Sequence, residues 1–414
     1  MEFRTHASLD AIPAAKWDAL HGGDDPFICH AFLAGLEQHG CLRRDWGWTP
    51  MHAALWEGDT LLAAAPGYIK HNSHGEFVFD HGWAQAMEHA GRDYYPKWLF
   101  AVPYTPVTGP RWLTRHPDLK AALIDAIAQM AARMGLISLH ATFLDAHDTA
   151  CTPHWLARTD VHFHWRNDAG WRCFNDHLAA MESRKRKNIR RERAHVSAAG
   201  ITFRILHGDE ACDADIATMH ALYLRTFNDK GNSAALTLDF FRHLARAMPR
   251  SLVLVLAQRS ASGHMPTPVP RSGGDPCETR SAAGGPDAPC ADSRDPQWQT
   301  TTIAGALFLR GGDTLHGRYW GSFETVPGLH FETCYHQGIE YCLRHGLRLF
   351  DPGAQGEHKL ARGFLPVLTH SRHHFLEPGL DAAFARWCAD EHAASERYRA
   401  ALQMHSPYRR EAVA

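Results

Sequence analysis

Asp351-Pro-Gly-Ala-Gln-Gly-Glu-His-Lys-Leu-Ala-Arg-Gly-Phe-Leu-Pro366 follows a short apolar run, Leu347–Phe350, that reads as a strand. The stretch packs three glycines, a Glu-His pair and two cations into one connection. Glycine lets a backbone take φ > 0 or approach a ligand closely. A carboxylate, an imidazole and two positive charges can run acid–base chemistry beside an anion. The same composition also suits a turn-rich surface connection with solvated charges, so the surrounding chain has to decide.

Outward from that loop, the second half orders itself by periodicity. A helix over about Phe174–Ala199 stops at Gly200 and is followed by a strand, Ile201–Leu206. Helices over Asp213–Asn228 and Leu238–Met248 precede strands Leu252–Gln258, Ile303–Arg310 and Thr314–Gly321. The helix Leu329–His345 carries Phe331, Cys334, Tyr335, Gly338 and Cys342 on one face, and Gly346 ends it. After the loop comes a last strand, Val367–Phe375, and then a helix, Leu380–Met404. The first half repeats the order less sharply. Strands are expected at Glu2–Thr5, Met51–Trp56, Leu61–Lys70, Glu76–Asp80, Leu136–Phe143 and Val161–Trp165. Helices are expected at Pro13–Leu20, Ala31–His39, Tyr95–Val102 and Pro117–Met134. Residues 259–301, rich in Gly, Pro, Ser and Asp, interrupt two strands that would otherwise form a hairpin. Such a segment buries too little apolar area to offset its ordering entropy and reads as a disordered excursion. Each half thus runs strand, helix, helix, strand meander, helix, strand, strand. That order is the signature of the GNAT acyltransferase fold. The expectation is a mixed α/β protein of tandem GNAT-like units, 1–166 and 167–379, with a C-terminal helix and tail over 380–414.

Composition excludes several classes. At 414 residues, 45% hydrophobic and 21% charged, the chain reads as soluble and globular, and long enough for two domains. A net charge of −2 creates no overall field toward DNA or membrane, so any basic site is local. No apolar run reaches a membrane span and the N-terminus lacks a signal-peptide core. Ten cysteines without a Cys-x-x-Cys fit a reduced cytoplasm better than a disulfide framework. Nucleophile-elbow, Walker and dinucleotide-binding motifs are absent from the sequence. Among 31 histidines, His162-x-His164 and His373-His374 look metal-like. No third ligand stands at a recognisable spacing, so no metal site is expected.

Ser183–Arg193 holds seven basic residues against one acidic. On a helix, Arg184, Arg186, Lys187, Arg190, Arg191 and Arg193 fan away from the apolar stripe that includes Ile189 and Val196. This face is either solvated or an anion platform for phosphates of a donor, a nucleotide-linked substrate or an RNA. Tyr319, in an aromatic strand, packs in the core or donates a proton. Asp80, Trp83, Tyr94 and Tyr95 suit an acceptor pocket or an interface.

The runs His330–Tyr341 and Gly356–Pro366, with Ser183–Arg193, Phe79–Trp83, Tyr94–Lys97 and Val102–Pro110, resemble the bacterial FemAB-like predicted N-acyltransferases. The resemblance covers nearly the whole chain except the insert and tail. It implies tandem GNAT-like units and kinship with the Fem peptidyltransferases, which pass an amino acid from aminoacyl-tRNA to an amine on a peptidoglycan precursor. Arg362-Gly363-Phe364 resembles their basic Lys-Lys-Gly-Phe-like motif, with Ala361 in place of one cation. The pyrophosphate loop of acetyl-CoA-dependent GNATs is replaced by Val326-Pro-Gly-Leu-His330. The expected chemistry is direct attack of an amine on an activated acyl carbonyl, with no tightly bound cofactor. Glu357 or His358 would be base or relay, and Tyr319 the acid to the leaving group. Lys359, Arg362 and Gly363, with Arg184, Lys187, Arg190 and Arg191, would hold donor phosphate or developing negative charge. The donor is aminoacyl-tRNA or acyl-CoA, and the acceptor a small-molecule or peptidoglycan-precursor amine. Two rival readings stand beside it: an acyl-CoA-dependent N-acetyltransferase, and an inactive module binding cell-wall precursors or RNA.

Overall fold

A computed structural model describes residues 1–260, 300–354 and 356–409. The excursion expected over 259–301 lies, apart from its ends, outside the described residues. In the first half the strands are β1 (Glu2–His6), β2 (Trp48–Pro50), β3 (His52–Glu57), β4 (Thr60–Ala65) and β5 (Gly67–Lys70). They continue with β6 (Lys97–Phe100), β7 (Leu113–Thr114), β8 (Ser138–Ala141) and β9 (Leu156–Arg166). The second half holds β10 (Ile201–His207), β11 (Leu252–Ser260), β12 (Thr300–Gly311), β13 (Thr314–Ser322), β14 (Leu349–Asp351) and β15 (Leu365–Phe375). The first-half helices are α1 (Ala14–Asp18), α2 (His30–Gln38), α3 (His81–His89), α4 (Leu119–Arg133) and α5 (Ala146–Ala150). Then come α6 (Phe174–Ala180), α7 (Ser183–Ala198), α8 (Asp213–Asp229) and α9 (Leu238–Ala247). The last are α10 (Leu329–Phe331), α11 (Gln337–His345) and α12 (Leu380–Gln403).

The architecture is mixed α and β, and one 11-stranded sheet runs through both halves in the order β10-β11-β12-β13-β14-β9-β15-β8-β6-β5-β2. Its centre is a reciprocal exchange. β9, which ends the first half, pairs with β14 of the second, while β15 of the second half pairs with β8 of the first. β9 and β15 are antiparallel to each other over nine residue pairs, from Leu365↔His164 to His373↔Leu156. A smaller sheet, β1-β3-β4-β7, carries the rest of the first half.

β11 shows why the large sheet forms. Its run Leu-Val-Leu-Val-Leu buries Leu254 and Leu256 in the core under α2, α8 and α9, and Val253 and Val255 in the core under α6, α7 and α11. A strand covered on both faces needs no polar alternation.

Five sequence expectations are corrected. Leu61–Lys70 divides at Pro66 into β4 and β5, which enter different sheets. Glu76–Asp80 is not a strand but a turn whose Glu76 is buried in a charge network. Tyr95–Val102 is not helical, because Lys97–Phe100 is taken up as β6 between β5 and β8. The helix expected over 174–199 breaks at Met181–Glu182. There Met181 bridges to Tyr408 and the Glu182 amide donates to Pro407, 2.9 Å away. The loop Asp351–Pro366 contains a six-residue 3₁₀ turn, Glu357–Arg362, and β15 starts earlier than expected, at Leu365. Helix α3 was not foreseen. Among the described residues no helix is long and apolar enough to cross a membrane.

Candidate functional site

The large sheet opens between β13 and β14. These parallel strands pair only at Thr314↔Leu349, Leu315↔Phe350 and His316↔Asp351. Beyond that point β13 continues against β12, while the chain after Asp351 leaves as the loop. Gly317 permits the turn-off, since a Cβ there would meet the Pro352 backbone at 3.2 Å.

Asp351 ends β14 inside the protein, 3% exposed. One carboxylate oxygen accepts from the Gly353 amide at 2.9 Å and lies 3.7 Å from His164 Nε2; the other lies 3.8 Å from His316 Nδ1. Burial opposes its ionisation, but the field of His164 and His316 outweighs it and holds the carboxyl below the usual range. His162 and His164, two apart on β9, therefore belong to this cluster, and burial depresses both imidazoles. Among the described residues no group of three or more His, Cys, Asp or Glu is arranged to hold a metal ion.

Lys359 projects inward from the 3₁₀ turn and is 2% exposed. Its Nζ donates to the carbonyls of Gly353 at 2.6 Å and Ala354 at 3.2 Å. Burial lowers its pKa to about 8, with the Asp351 charge opposing. An ammonium so placed can give up and regain a proton near neutrality.

His358, one residue earlier, is exposed and shares a 2.8 Å hydrogen bond with Tyr335 Oη. Partial burial, then Arg362 and Lys359, keep its pKa below the ordinary histidine value, so it is a neutral proton acceptor. Its ring lies within 6 Å of His330, Phe331 and Tyr335. A π-helical turn, Glu332–His336, falls between α10 and α11 and contains Tyr335. Such turns recur at functional sites. Glu357 is exposed and accepts a hydrogen bond from Tyr398 of α12.

The other expected groups separate. Arg362 is buried: it donates to Glu192 at 2.6 Å and to the His358 carbonyl at 2.7 Å, and covers the Phe331 ring at 3.3 Å. It braces the loop against α7 from the interior, with its Nε buried and without a partner among the described residues. Gly363 is packed too, its carbonyl accepting from Tyr408 at 2.8 Å. Tyr319 is not beside Glu357 or His358. A bulge near Leu307 and Phe308 turns it onto Tyr223 of α8, with ring centroids 4.8 Å apart. Arg184, Lys187, Arg190 and Arg191 are exposed along α7 and make no ion pair among the described residues. Arg193, expected to fan out with them, turns inward to Glu332 and Glu340.

Asp80, Tyr94 and Tyr95 meet in the first half around Lys97. Lys97 Nζ lies 2.5 Å from Asp80, 2.8 Å from Glu76 and 3.1 Å from Ser73; Tyr94 donates to Asp80 at 2.6 Å and Tyr95 pairs with Ser73 at 2.7 Å. Burial pushes Glu76 up to about 7 and the neighbouring Lys70 down to about 7. Asp80, Trp83 and Tyr94 are each less than 5% exposed, so their side chains lie in the interior. His316 and Glu192 carried no site signal in the sequence; Asp351 was legible only as the start of the loop, and His162-x-His164 only as a metal-like pair.

Over residues 8–265 and 295–410 the sequence matches the FemAB-like family, described as peptidoglycan biosynthesis/recognition. The chain belongs to the FemAB-like family. No curated protein matches it. Among solved structures, this FemAB-like chain is similar to FemX at 11% identity and a TM-score of 0.49, with 93% of this chain and 100% of that one covered. It is also similar to the C-terminal domain (DUF2156) of a putative lysylphosphatidylglycerol synthetase from Agrobacterium fabrum. There the identity is 10% and the TM-score 0.48, with 91% and 95% covered. A tandem GNAT protein from the clavulanic acid biosynthesis pathway gives 12% identity and a TM-score of 0.42, with 91% and 99% covered.

Proposed function

We propose that this FemAB-like protein is an N-acyltransferase that moves an acyl or aminoacyl group onto an amine of a peptidoglycan precursor or a related small molecule. The observation that carries the reading is Lys359, a buried ammonium with a pKa near 8 beside an ionised Asp351 where the sheet opens. The family's description, peptidoglycan biosynthesis/recognition, supports the acceptor class. In the reaction the amine nitrogen bonds to the acyl carbonyl carbon, and the bond from that carbon to the leaving oxygen or sulfur breaks. His358, neutral and exposed, takes the proton released by the nitrogen, with Glu357 as the alternative base. Lys359 stabilises the oxyanion or returns a proton to the leaving group, the acid role first considered for Tyr319. Such preorganised charge is worth several kcal/mol in a water-poor site. The exposed cations of α7 steer an anionic donor, either aminoacyl-tRNA or acyl-CoA, and no resident cofactor takes part.

The test supplies purified protein with peptidoglycan precursor and, separately, aminoacyl-tRNA or acetyl-CoA, and follows the precursor by mass spectrometry. An added aminoacyl or acetyl mass that disappears in Lys359→Met identifies the donor. An unchanged precursor with both donors overturns the proposal.

A further inference from the structure

The seam where β9 and β15 meet carries a cavity that no residue of the proposed reaction occupies. Arg158 stands opposite Ser371 and Asp160 opposite Thr369, and directly opposed residues of antiparallel strands share a face. Helix α12 lies over them, offering Glu391 and Ser395 one turn apart, and Phe77–Phe79 close a third side. The space is about 200 Å³, several times the ~30 Å³ that one water takes in the liquid.

The lining has a sign. Two carboxylates, Asp160 and Glu391, face one guanidinium, and Arg158 is already committed. Its Nε and Nη2 donate to both Glu391 oxygens, at 2.7 and 2.6 Å, and to the Phe79 carbonyl at 3.0 Å, which leaves only Nη1 without a partner among the described residues. The negative charge left over sits on Asp160, which is exposed and whose carboxylate, among the described residues, accepts only from the adjoining Val161 amide at 2.7 Å. Phe77, Phe79 and Phe143 complete the wall. Phe77 and Phe143 adopt φ of 61° and 54°, and the only other non-glycine residue at positive φ among the described residues is Tyr104. Left-handed backbone is strained at a bulky residue, and such strain persists where the surroundings hold it in place. Here it falls twice on one small cavity.

A free carboxylate, hydroxyls and ring faces together attract an ammonium, through charge and through the ring quadrupole. We propose that this cavity binds a primary ammonium group and so holds the amine-bearing acceptor. The second part rests on the reaction proposed above; the first does not. Location connects them. Ser395 and Tyr398 lie about one helical turn apart on α12, and Tyr398 donates to Glu357. Along β9, Asp160 is four residues, roughly 13 Å, from His164 at the Asp351 cluster.

Thermal-shift and calorimetric titrations with pentylamine, 1-pentanol and pentanoate at neutral pH provide the test. Pentylamine alone should bind saturably. Asp160→Asn should weaken it tenfold or more, Asp160→Glu should restore it, and Ser395→Leu, which fills the space without touching a charge, should abolish it. Equal binding of the alcohol or the anion overturns the proposal, as does pentylamine binding that survives both Asp160→Asn and Ser395→Leu. Amine binding without acyl transfer from either donor would refute the enzymatic reading and leave this site standing. Full transfer activity in a Ser395→Leu protein that no longer binds pentylamine would remove the acceptor from the cavity.

Discussion

Lys359 concentrates the electrostatic cost of the candidate site in one side chain. Its folded pKa, about 8, lies below the unfolded value near 10.4. Between those two values the unfolded chain binds more protons, so this residue's contribution to stability rises with pH across that window, by roughly 3 kcal/mol in total. Subtracting the stability of Lys359→Met from that of the native protein should give a difference that is flat below pH 8 and climbs above it. Denaturant titrations from pH 7 to 10 measure it, and a flat difference throughout would mean that Lys359 is not held near 8. Glu357 provides the contrast. Being exposed, Glu357→Gln should change stability by less than about 0.5 kcal/mol, and a loss of turnover of tenfold or more would make Glu357, in place of His358, the base. Equal turnover would remove it from the mechanism. At this scale the sequence showed the loop but not its partners. Glu357, His358 and Lys359 are contiguous and stand out together. Asp351 meets His164 and His316 only after three strands align, and Glu192 looked like the odd acid in a basic helix until Arg362 reached it.

Among the elements, α11 and β14 show packing overruling propensity. Gly338 sits inside a helix, where Ala is ordinarily about 1 kcal/mol better. A Cβ there would lie 2.4 Å from the Phe350 ring, and Phe350 is fully buried in the strand that leads to Asp351. Gly338→Ala should therefore lower stability by roughly 1–3 kcal/mol and shift the start of the loop, which thermal melts and transfer rates together would detect; a stabilised variant would contradict it. Elements whose signals are local were legible: Gly135, Gly200 and Gly346 each stop a helix close to where their φ turns positive. Elements settled by distant partners were not. Lys97-Trp-Leu-Phe100 has no period of its own, and becomes a strand because β5 and β8 flank it. The break at Met181 depends on Tyr408, far along the chain.

For the molecule as a whole, the exchange of β9 and β15 makes the two halves interdependent. Separated after residue 166, the first half would expose the edge of β8, and the second would lose the strand that pairs with β14. Unpaired edges of this length favour aggregation. Each half expressed alone should be insoluble or molten, the two co-expressed should reassemble, and the intact protein should melt in a single calorimetric transition. Two well-separated transitions would show that the halves are independent. The repeat of elements was legible in the sequence and their exchange was not, since pairing between strands so far apart in the chain leaves no local signal.

That exchange also sets a timetable for synthesis. Leu156 leaves the ribosome about 200 residues ahead of its partner His373. Contacts so distant in sequence close slowly, and domains emerging N-terminal first usually fold as they appear. Here the first half cannot finish early: β8 and β9 must wait, edges open, for a strand made roughly 200 residues later. The nascent chain thus carries open strand edges while roughly 200 further residues are added, and a ribosome stalled before residue 365 would hold a protein with the middle of its sheet still missing.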